Sequence, residues 1–476
     1  MNLHPASPSS QSQSPLAPAD VEVVQYFAFT SMWQREGWTG PICAGVSADG
    51  IVRDLVTDAP AGAPVEHVEG FALPAFQNAH SHAFQYAMAG LAENHPTGLA
   101  DDFWTWREEM YKCALTVDPD QAEAIAAMVY AEMVRVGYGH VAEFHYLHHD
   151  RNGKPYAHLA EMGERMVAAA ATAGIKITLV PVFYQRGGFG MEPQERQRRF
   201  ISKTVDDYLK LLDASAQIVK KYEHAMLGCS VHSLRAVEMD DICRTVEQSP
   251  KVPFHLHAAE QLKEISDCLA YTGQRPVQWV LDHLSIDSRF HVVHATHLDD
   301  AEVKGLAASG ARVVLCPSTE GNLGDGIFRM KEFVKAGGRW SIGTDSHIGL
   351  NPLEELRMID YRQRLLTHQR NTFEGDAAAY LINESVTSGR DAMGVRSSNH
   401  FGVGQPLDAV VYNAKSHLVA ETSEKHRLAT LLYTSDSSRL LGTIVDGAWV
   451  VRQQHHRRGE NIKEAFSKAM RAIKNR

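Results

Sequence analysis

Residues 71–85 read FALPAFQNAHSHAFQ, an apolar run that stops at His80-Ser81-His82. The chain has 25 histidines in 476 residues, so about one such pair is expected by chance, and it carries meaning only if the rest of the chain repeats the pattern. The pattern recurs. Apolar β-like runs follow as GHVAEFHYL, KITLVPVFY, AMLGCSV, VPFHLHA, RFHVVHA, ARVVLCP and RWSIGTD, which with the first makes eight. Helical patterns separate them, among them DPDQAEAIAAMVYAEMVRVG from Asp118, LAEMGERMVAAAATAG from Leu159 and DDAEVKGLAASG from Asp299. Asp118-Pro119 and Asp299-Asp300 have the chemistry of helix starts, and Gly174 and Gly310 that of helix stops. Eight strands alternating with helices predict an α/β chain folded as a (β/α)8 TIM-like barrel. Such a barrel keeps its chemistry at the C-terminal ends of its strands. The polar residues stand there: His80 and His82, His145 and Tyr146, Tyr184 and Arg186, His232 and Arg235, His257 and Glu260, His294, and Asp345.

The flanks follow a different grammar. Residues 21–70 and 401–451 hold short β-like runs broken by Gly, Asp and Pro. They are expected to pair into a small β-sandwich domain built from both chain ends, around a barrel over residues 71–400. Residues 1–20 are rich in Ser, Pro and Gln and read as a disordered tail, without the apolar core or arginine of a targeting segment. The stretch 452–476 is basic, and the spacing of Ile462, Phe466, Met470 and Ile473 predicts an amphipathic helix docked on the body rather than a binding arm. The longest interval between strands holds NHPTGLADDFWTWREEMY, residues 94–111, readable as an active-site cover or as an aromatic packing insert.

Composition narrows the class. A net charge of −10 argues against a nucleic-acid surface, while a local arginine cluster can still hold an anionic substrate. No apolar run approaches the roughly 18 residues of a membrane span. Six cysteines are scattered without a CxxC pair, which predicts neither a thiolate zinc site nor a disulfide framework and fits a reducing cytoplasm.

Hydrolysis at neutral pH needs an activated water, and a divalent metal lowers the pKa of bound water to about 7. Neutral imidazoles and a carboxylate are the usual donors for zinc. His80 and His82 are two apart, so an extended strand projects both to one side. His257 and Asp345 end the fifth and eighth runs, and in a closed barrel the four converge as ligands for one metal. Glu260, His294 and Asp345 stand where a proton relay would need them. His255 reads as packing, and His145, His148, His149, His297 and His347 as structural or solvated. The fourth run ends in LGCSVHSLRAV without the lysine that a two-metal site often needs, so one metal is expected.

These residues resemble the amidohydrolase superfamily, mononuclear aminohydrolase branch, whose pattern is HSH on the first strand, HxxE on the fifth, His on the sixth and Asp on the eighth. The similarity runs from about residue 22 to 451 and includes NAHSHAFQYAMAGLAE, DDFWTWREEMY, VAEFHYLHHD, HLHAAEQ, VVHATHL, CPSTEGNLGDGIF and GTDSHIG. HAFQ, HSLRAV and STEGNLGDG are its more specific pieces, and Tyr86 departs from the basic residue expected after HAFQ. The resemblance implies a metal-dependent hydrolase with one divalent metal, Zn2+, acting as a homodimer on a small-molecule substrate. That substrate would be a linear amidine with two carboxylates, deiminated by water with release of ammonia. Asp345 would take the water's proton, His294 would orient the nucleophile, and Glu260 would carry a proton to the imino nitrogen. Guanidinium groups hold carboxylates well, which makes Arg235 and then Arg107 the candidates for substrate binding. Gln85, Tyr146 and His232 match family positions that line the pocket. The glycines of residues 318–326 would let backbone N–H groups approach the substrate, or simply form a turn. Two alternatives stay open: a guanine-type heteroaromatic aminohydrolase, and an inactive barrel serving as a binding protein.

Overall fold

The computed structural model describes residues 22–93, 102–397 and 399–474. The expected tail over 1–20 and the front of the 94–111 insert lie outside the described residues. Eight parallel strands run in sequence order: Phe76–Ser81, Tyr138–His145, Lys176–Phe183, a fourth in two pieces (Ala225–Leu227 and Cys229–Ser233), Phe254–Ala258, Phe290–His294, Arg312–Leu315 and Arg339–Ile342. The ring closes where the eighth strand meets the first. Ser81 bridges Asp345 in parallel register, and the backbone N–H groups of Thr344 and Asp345 both donate to the His80 carbonyl at 3.0 Å. Gly343 permits that approach, because a Cβ there would lie 2.8 Å from His80 Cβ.

The helices between strands start and stop where local chemistry dictates. Asp118 caps Pro119–Arg135 and Asp299 caps Asp300–Ser309, each in a reciprocal capping box with the residue three along. Gly174 and Gly310 end their helices at φ of 71° and 80°, the left-handed region that favours glycine.

The run 71–79 divides at Pro74. Residues Val65–Pro74 belong to a second sheet, and only Phe76–Ser81 enters the barrel. The apolar pattern runs unbroken through the junction because both strands are buried there, so hydrophobicity alone does not mark it. The second sheet has nine strands, drawn from residues before Pro74 and after Leu407. It curls until the Gly50–Val52 edge bonds back to the segment at Gly404–Leu407. A small core of its own fills the fold, with Phe27, Phe29, Met32, Val46, Val411 and Ile444 buried together. Lys176, at the start of the third barrel strand, reaches Asp408 at 2.6 Å and Asp446 at 2.7 Å and ties the sheet to the barrel.

The last helix, Gly459–Lys474, lies against Pro119–Arg135. Ile462 is buried, while Phe466, Met470 and Ile473 pack half-buried on the main core. Ile462→Ala is expected to lower unfolding stability by about 2–4 kcal/mol, read from the denaturant midpoint; no change would mean the helix is not docked in solution. Among the described residues, no helix is long and apolar enough to cross a membrane.

Candidate metal centre and substrate pocket

The first strand delivers His80 and His82 to the barrel mouth, and the turn after it is held by side chains. The Glu143 carboxylate accepts from Ser81 Oγ at 2.6 Å and from the Ala83 N–H at 2.8 Å. Asn78 clasps Thr344, accepting from its N–H at 3.0 Å and donating to its Oγ1 at 2.7 Å. These bonds lock strands one and eight in the register that sets His82 beside Asp345. His294 and Asp345 both sit in the left-handed region, at φ of 68° and 46°. Strain of this kind collects where side chains must be aimed at a site.

Three imidazole nitrogens converge. His80 Nε2 lies 3.1 Å from His82 Nε2 and 3.1 Å from His257 Nε2. His82 Nε2 is 3.2 Å and His80 Nε2 is 3.7 Å from Asp345 Oδ1. The other ring nitrogens explain the orientation: His82 Nδ1 pairs with the Phe144 carbonyl at 2.8 Å, and His257 Nδ1 with the His232 carbonyl at 2.9 Å. A carbonyl accepts only, so each Nδ1 carries the proton and each Nε2 presents a lone pair. Burial drives the pKa of His82 down to about 3 and those of His80 and His257 well below the usual imidazole range. Neutral lone pairs facing one another beside a carboxylate need a cation between them, so the donor set fits one divalent metal. A second grouping of His294, Cys316 and Asp345 also converges, and burial pushes the Cys316 thiol well above its usual range, which disfavours the thiolate a metal needs.

Around this centre stand more acids. His294 Nε2 is 3.6 Å from Glu260 Oε1 and 3.7 Å from Asp345 Oδ2. Burial works to depress His294, but Glu260, Glu320 and Asp345 outweigh it and lift its pKa to about 10. Burial raises the Asp345 carboxyl to about 7, with His294 pulling it down and Glu260 and Glu320 pushing it further up. Glu320 escapes notice in the linear pattern. It sits in STEGNLGDG, where a glycine loop is expected, yet Pro317–Leu323 is a short helix. Its Oε1 lies 3.4 Å from His294 Nδ1 and accepts from the Cys316 N–H at 2.8 Å, while its Oε2 takes Arg362 Nη1 at 2.8 Å. The signal was present, since Glu320 follows the seventh strand just as Glu260 follows the fifth. Glu320→Leu strands Arg362 and is expected to cost about 3–5 kcal/mol. A chemical denaturation curve shifted by less than about 1 kcal/mol would contradict the buried pair.

The pocket beside the centre is lined by His82, His257, Glu260 and Asp345 and also by Arg107 and Arg235. The helix Phe103–Thr116 roofs it with Phe103, Trp106, Arg107, Met110 and Tyr111, so this part of the insert covers the site. Arg107 stacks over Trp104 at 4.5 Å and Arg235 lies 5.9 Å over Phe103. Among the described residues, neither guanidinium has a carboxylate partner. Gln85 Nε2 donates to Tyr146 Oη at 2.7 Å, and Gln85 Oε1 is buried with no partner. His232, with Nδ1 3.1 Å from Ser233 Oγ, adds a ring 4.6 Å from that of Tyr184. Tyr111, Tyr184 and Phe200 complete the wall; Tyr184 follows the third strand as its place in the sequence predicts, whereas Tyr111 stands on the roofing helix and Phe200 in a turn, which the strand pattern does not mark. His255 lies away from the pocket, its ring stacked on His291 and its Nε2 3.2 Å from the Ala392 carbonyl. His148 and His149 also spend a ring nitrogen on a carbonyl. Tyr86 is half-buried between the rings of His347 and Phe466, at 6.3 and 5.9 Å, so its position is occupied by packing against the last helix.

Comparison with known proteins identifies the family and agrees with the fold. The model of the amidohydrolase family matches residues 71–450. A formimidoylglutamate deiminase of Pseudomonas aeruginosa is 42% identical over 439 residues, covering 90% of this chain and 95% of the relative. A crystal structure of an amidohydrolase from Brucella melitensis superimposes with a TM-score of 0.87 at 39% identity, over 94% of this chain and 99% of that one. A zinc-bound adenosine deaminase from Xanthomonas campestris shares the fold at 18% identity, with a TM-score of 0.80 over 95% of this chain and 99% of that one.

Proposed function

The chain belongs to the amidohydrolase family, and from that premise we propose that it hydrolyses N-formimidoyl-L-glutamate to N-formyl-L-glutamate and ammonia. It is a carbon–nitrogen hydrolase, and the 42% identical deiminase supports this substrate within that class. One observation carries the choice: the pocket that meets the imidazole–carboxylate centre is also lined by two guanidinium groups that form no ion pair among the described residues. A substrate with an amidine and two carboxylates matches that set of groups. A heteroaromatic ring gives the arginines nothing to neutralise.

His80, His82, His257 and Asp345 would hold the metal, and three imidazoles with one carboxylate favour Zn2+. When bound, the metal supplies the Lewis acidity that makes water a nucleophile near neutral pH. The residues then have distinct tasks. Asp345 takes a proton from the attacking water as the new C–O bond forms at the amidine carbon. His294, held by Glu320, stabilises the negative charge that develops on that oxygen. Glu260 delivers a proton to the imino nitrogen, which leaves a tetrahedral carbon bearing OH and NH2; the proton held by Asp345 then passes to that nitrogen while Glu260 takes back the hydroxyl proton, the C–N bond breaks, the carbonyl forms and ammonia leaves. Each transfer needs hydrogen-bond reach, and the separations of 3.6 and 3.7 Å around His294 leave room for a bound molecule to draw the groups together. Arg235 and Arg107 hold the carboxylates, and Gln85, Tyr146 and His232 line the space between.

The same reading places the reaction in histidine degradation, in the cytoplasm, within a homodimer. Six free cysteines accord with a reducing compartment. The deciding experiment incubates the zinc-loaded enzyme with formimidoylglutamate and identifies both products. N-formylglutamate and ammonia are expected; glutamate with formamide, or turnover of guanine alone, would overturn the reading.

A further inference from the structure

The opposite end of the barrel carries an arrangement that this reaction does not use. A cavity of about 760 Å3 opens below the N-terminal ends of the strands. Its lining includes six cations, Arg35, Lys251, Arg289, Arg312, Arg339 and Arg396. Three come from consecutive strand starts: Arg289 precedes Phe290–His294, Arg312 opens Arg312–Leu315 and Arg339 opens Arg339–Ile342. Arg289 and His294 stand at opposite ends of one strand, so the cavity lies about 16 Å from the metal centre by strand rise.

Two carboxylates answer these cations. Asp391 accepts from Arg312 Nε at 3.1 Å and Nη2 at 2.7 Å, and Glu384 from Arg339 Nε at 2.8 Å. Of the rest, Arg289 has one distant carboxylate and three have none among the described residues. The Arg289 side chain is 10% exposed, and its nearest carboxylate is the exposed Asp287 at 3.9 Å. It is backed by the rings of Phe254 and Phe290 at 5.6 and 4.8 Å; its Nη2 donates to the Val246 carbonyl at 3.3 Å, while its Nε and Nη1 have no hydrogen-bond partner among the described residues. Arg35, Lys251 and Arg396 stand exposed on the rim with no ion pair among the described residues. The chain as a whole carries a net charge of −10, so this concentration of positive charge runs against its background. Like charges gathered in one cavity repel, and a nearly buried guanidinium whose counter-ion is distant and exposed is poorly compensated. An anion offsets both.

We propose that this cavity binds a small organic anion bearing phosphoryl groups. Guanidinium forks match the oxygens of a phosphate in bidentate fashion. The cavity falls within the roughly 300–1,000 Å3 of small-molecule sites. Its other wall is apolar, with Leu227, Val252, Pro253 and Met393, and offers surface to a carbon skeleton that a free phosphate ion lacks.

The test is isothermal titration of the zinc-loaded full chain at low salt, with fructose 1,6-bisphosphate as the phosphorylated organic probe and inorganic phosphate beside it. Wild type, the rim double variant Lys251→Glu/Arg396→Glu, and Arg235→Met in the catalytic pocket are compared. The bisphosphate is expected to saturate one site, to bind the rim variant at least about tenfold more weakly, and to bind Arg235→Met unchanged. The rim variant should keep the wild-type thermal denaturation midpoint, which shows that it is folded. Equal affinity for inorganic phosphate would keep the site but assign it to the free ion. The proposal is overturned if wild type shows no saturable binding, if the rim variant binds as wild type does, or if binding is lost in Arg235→Met instead. None of these outcomes depends on the substrate of the catalytic pocket.

Discussion

Asp345→Asn is expected to lower kcat by about 10^3-fold, within the roughly 10^2–10^4 that a positioned acid or base contributes. The substitution keeps the shape of the side chain and removes its charge and basicity. Asp345 Oδ1 is 3.2 Å from His82 Nε2, and its Oδ2 is 3.7 Å from His294 Nε2, so one side chain serves both the ligand set and the proton path. Its backbone N–H still donates to the His80 carbonyl, so the closure of the barrel should survive. Turnover and bound zinc are measured on the same sample. A variant that keeps its zinc and falls about 10^3-fold isolates the proton role. One that loses zinc and turnover together shows the ligand role. A variant within about tenfold of wild type would sink both roles.

The second large effect is expected from Arg235→Met. The buried guanidinium makes no close carboxylate pair among the described residues, but its charge acts on the buried Glu264 and on Glu260, so stability is measured beside the kinetics. A lost bidentate contact to a substrate carboxylate removes two charge-assisted hydrogen bonds of about 1.5–3 kcal/mol each. The expected result is a fall in kcat/KM of at least about 10^2-fold, carried mainly by KM because the carboxylate lies away from the reacting carbon. Arg235→Lys should recover part of it, since a point charge without the fork keeps the attraction and loses the geometry. Unchanged kinetics in Arg235→Met would favour a heteroaromatic substrate.

Much of the centre was legible along the chain because a parallel barrel turns linear order into spatial order. Each apolar run ends where its strand reaches the mouth, so His80, His82, His257, His294 and Asp345 could be placed at one end from the pattern alone. Glu320 was not, because it stands on a helical turn, Pro317–Leu323, in a stretch whose glycines imitate a loop. Phe200 was hidden for a different reason: it lies in a turn well after the third strand, where an aromatic residue packs in the core as readily as it lines a pocket. The insert 94–111 left cover and packing equally open, and only the seating of Phe103–Thr116 over the pocket separates them.

The sequence by itself determined the number and order of the barrel strands, the capping of their helices and the imidazoles and carboxylates at their ends. These depend on local periodicity and on residue type. Tertiary structure alone decided which groups face each other. It sent His80, His82 and His257 toward one point, and distant carbonyls at Phe144 and His232 claim the Nδ1 protons of His82 and His257 and turn their Nε2 lone pairs inward. It set Arg107 beside Arg235, more than a hundred residues apart, in one pocket. It also gathered cations from Arg35 to Arg396 at the barrel's other end. Ring closure and the packing of each side chain against its neighbours select those partners, and neither is written in the spacing of residues along the chain.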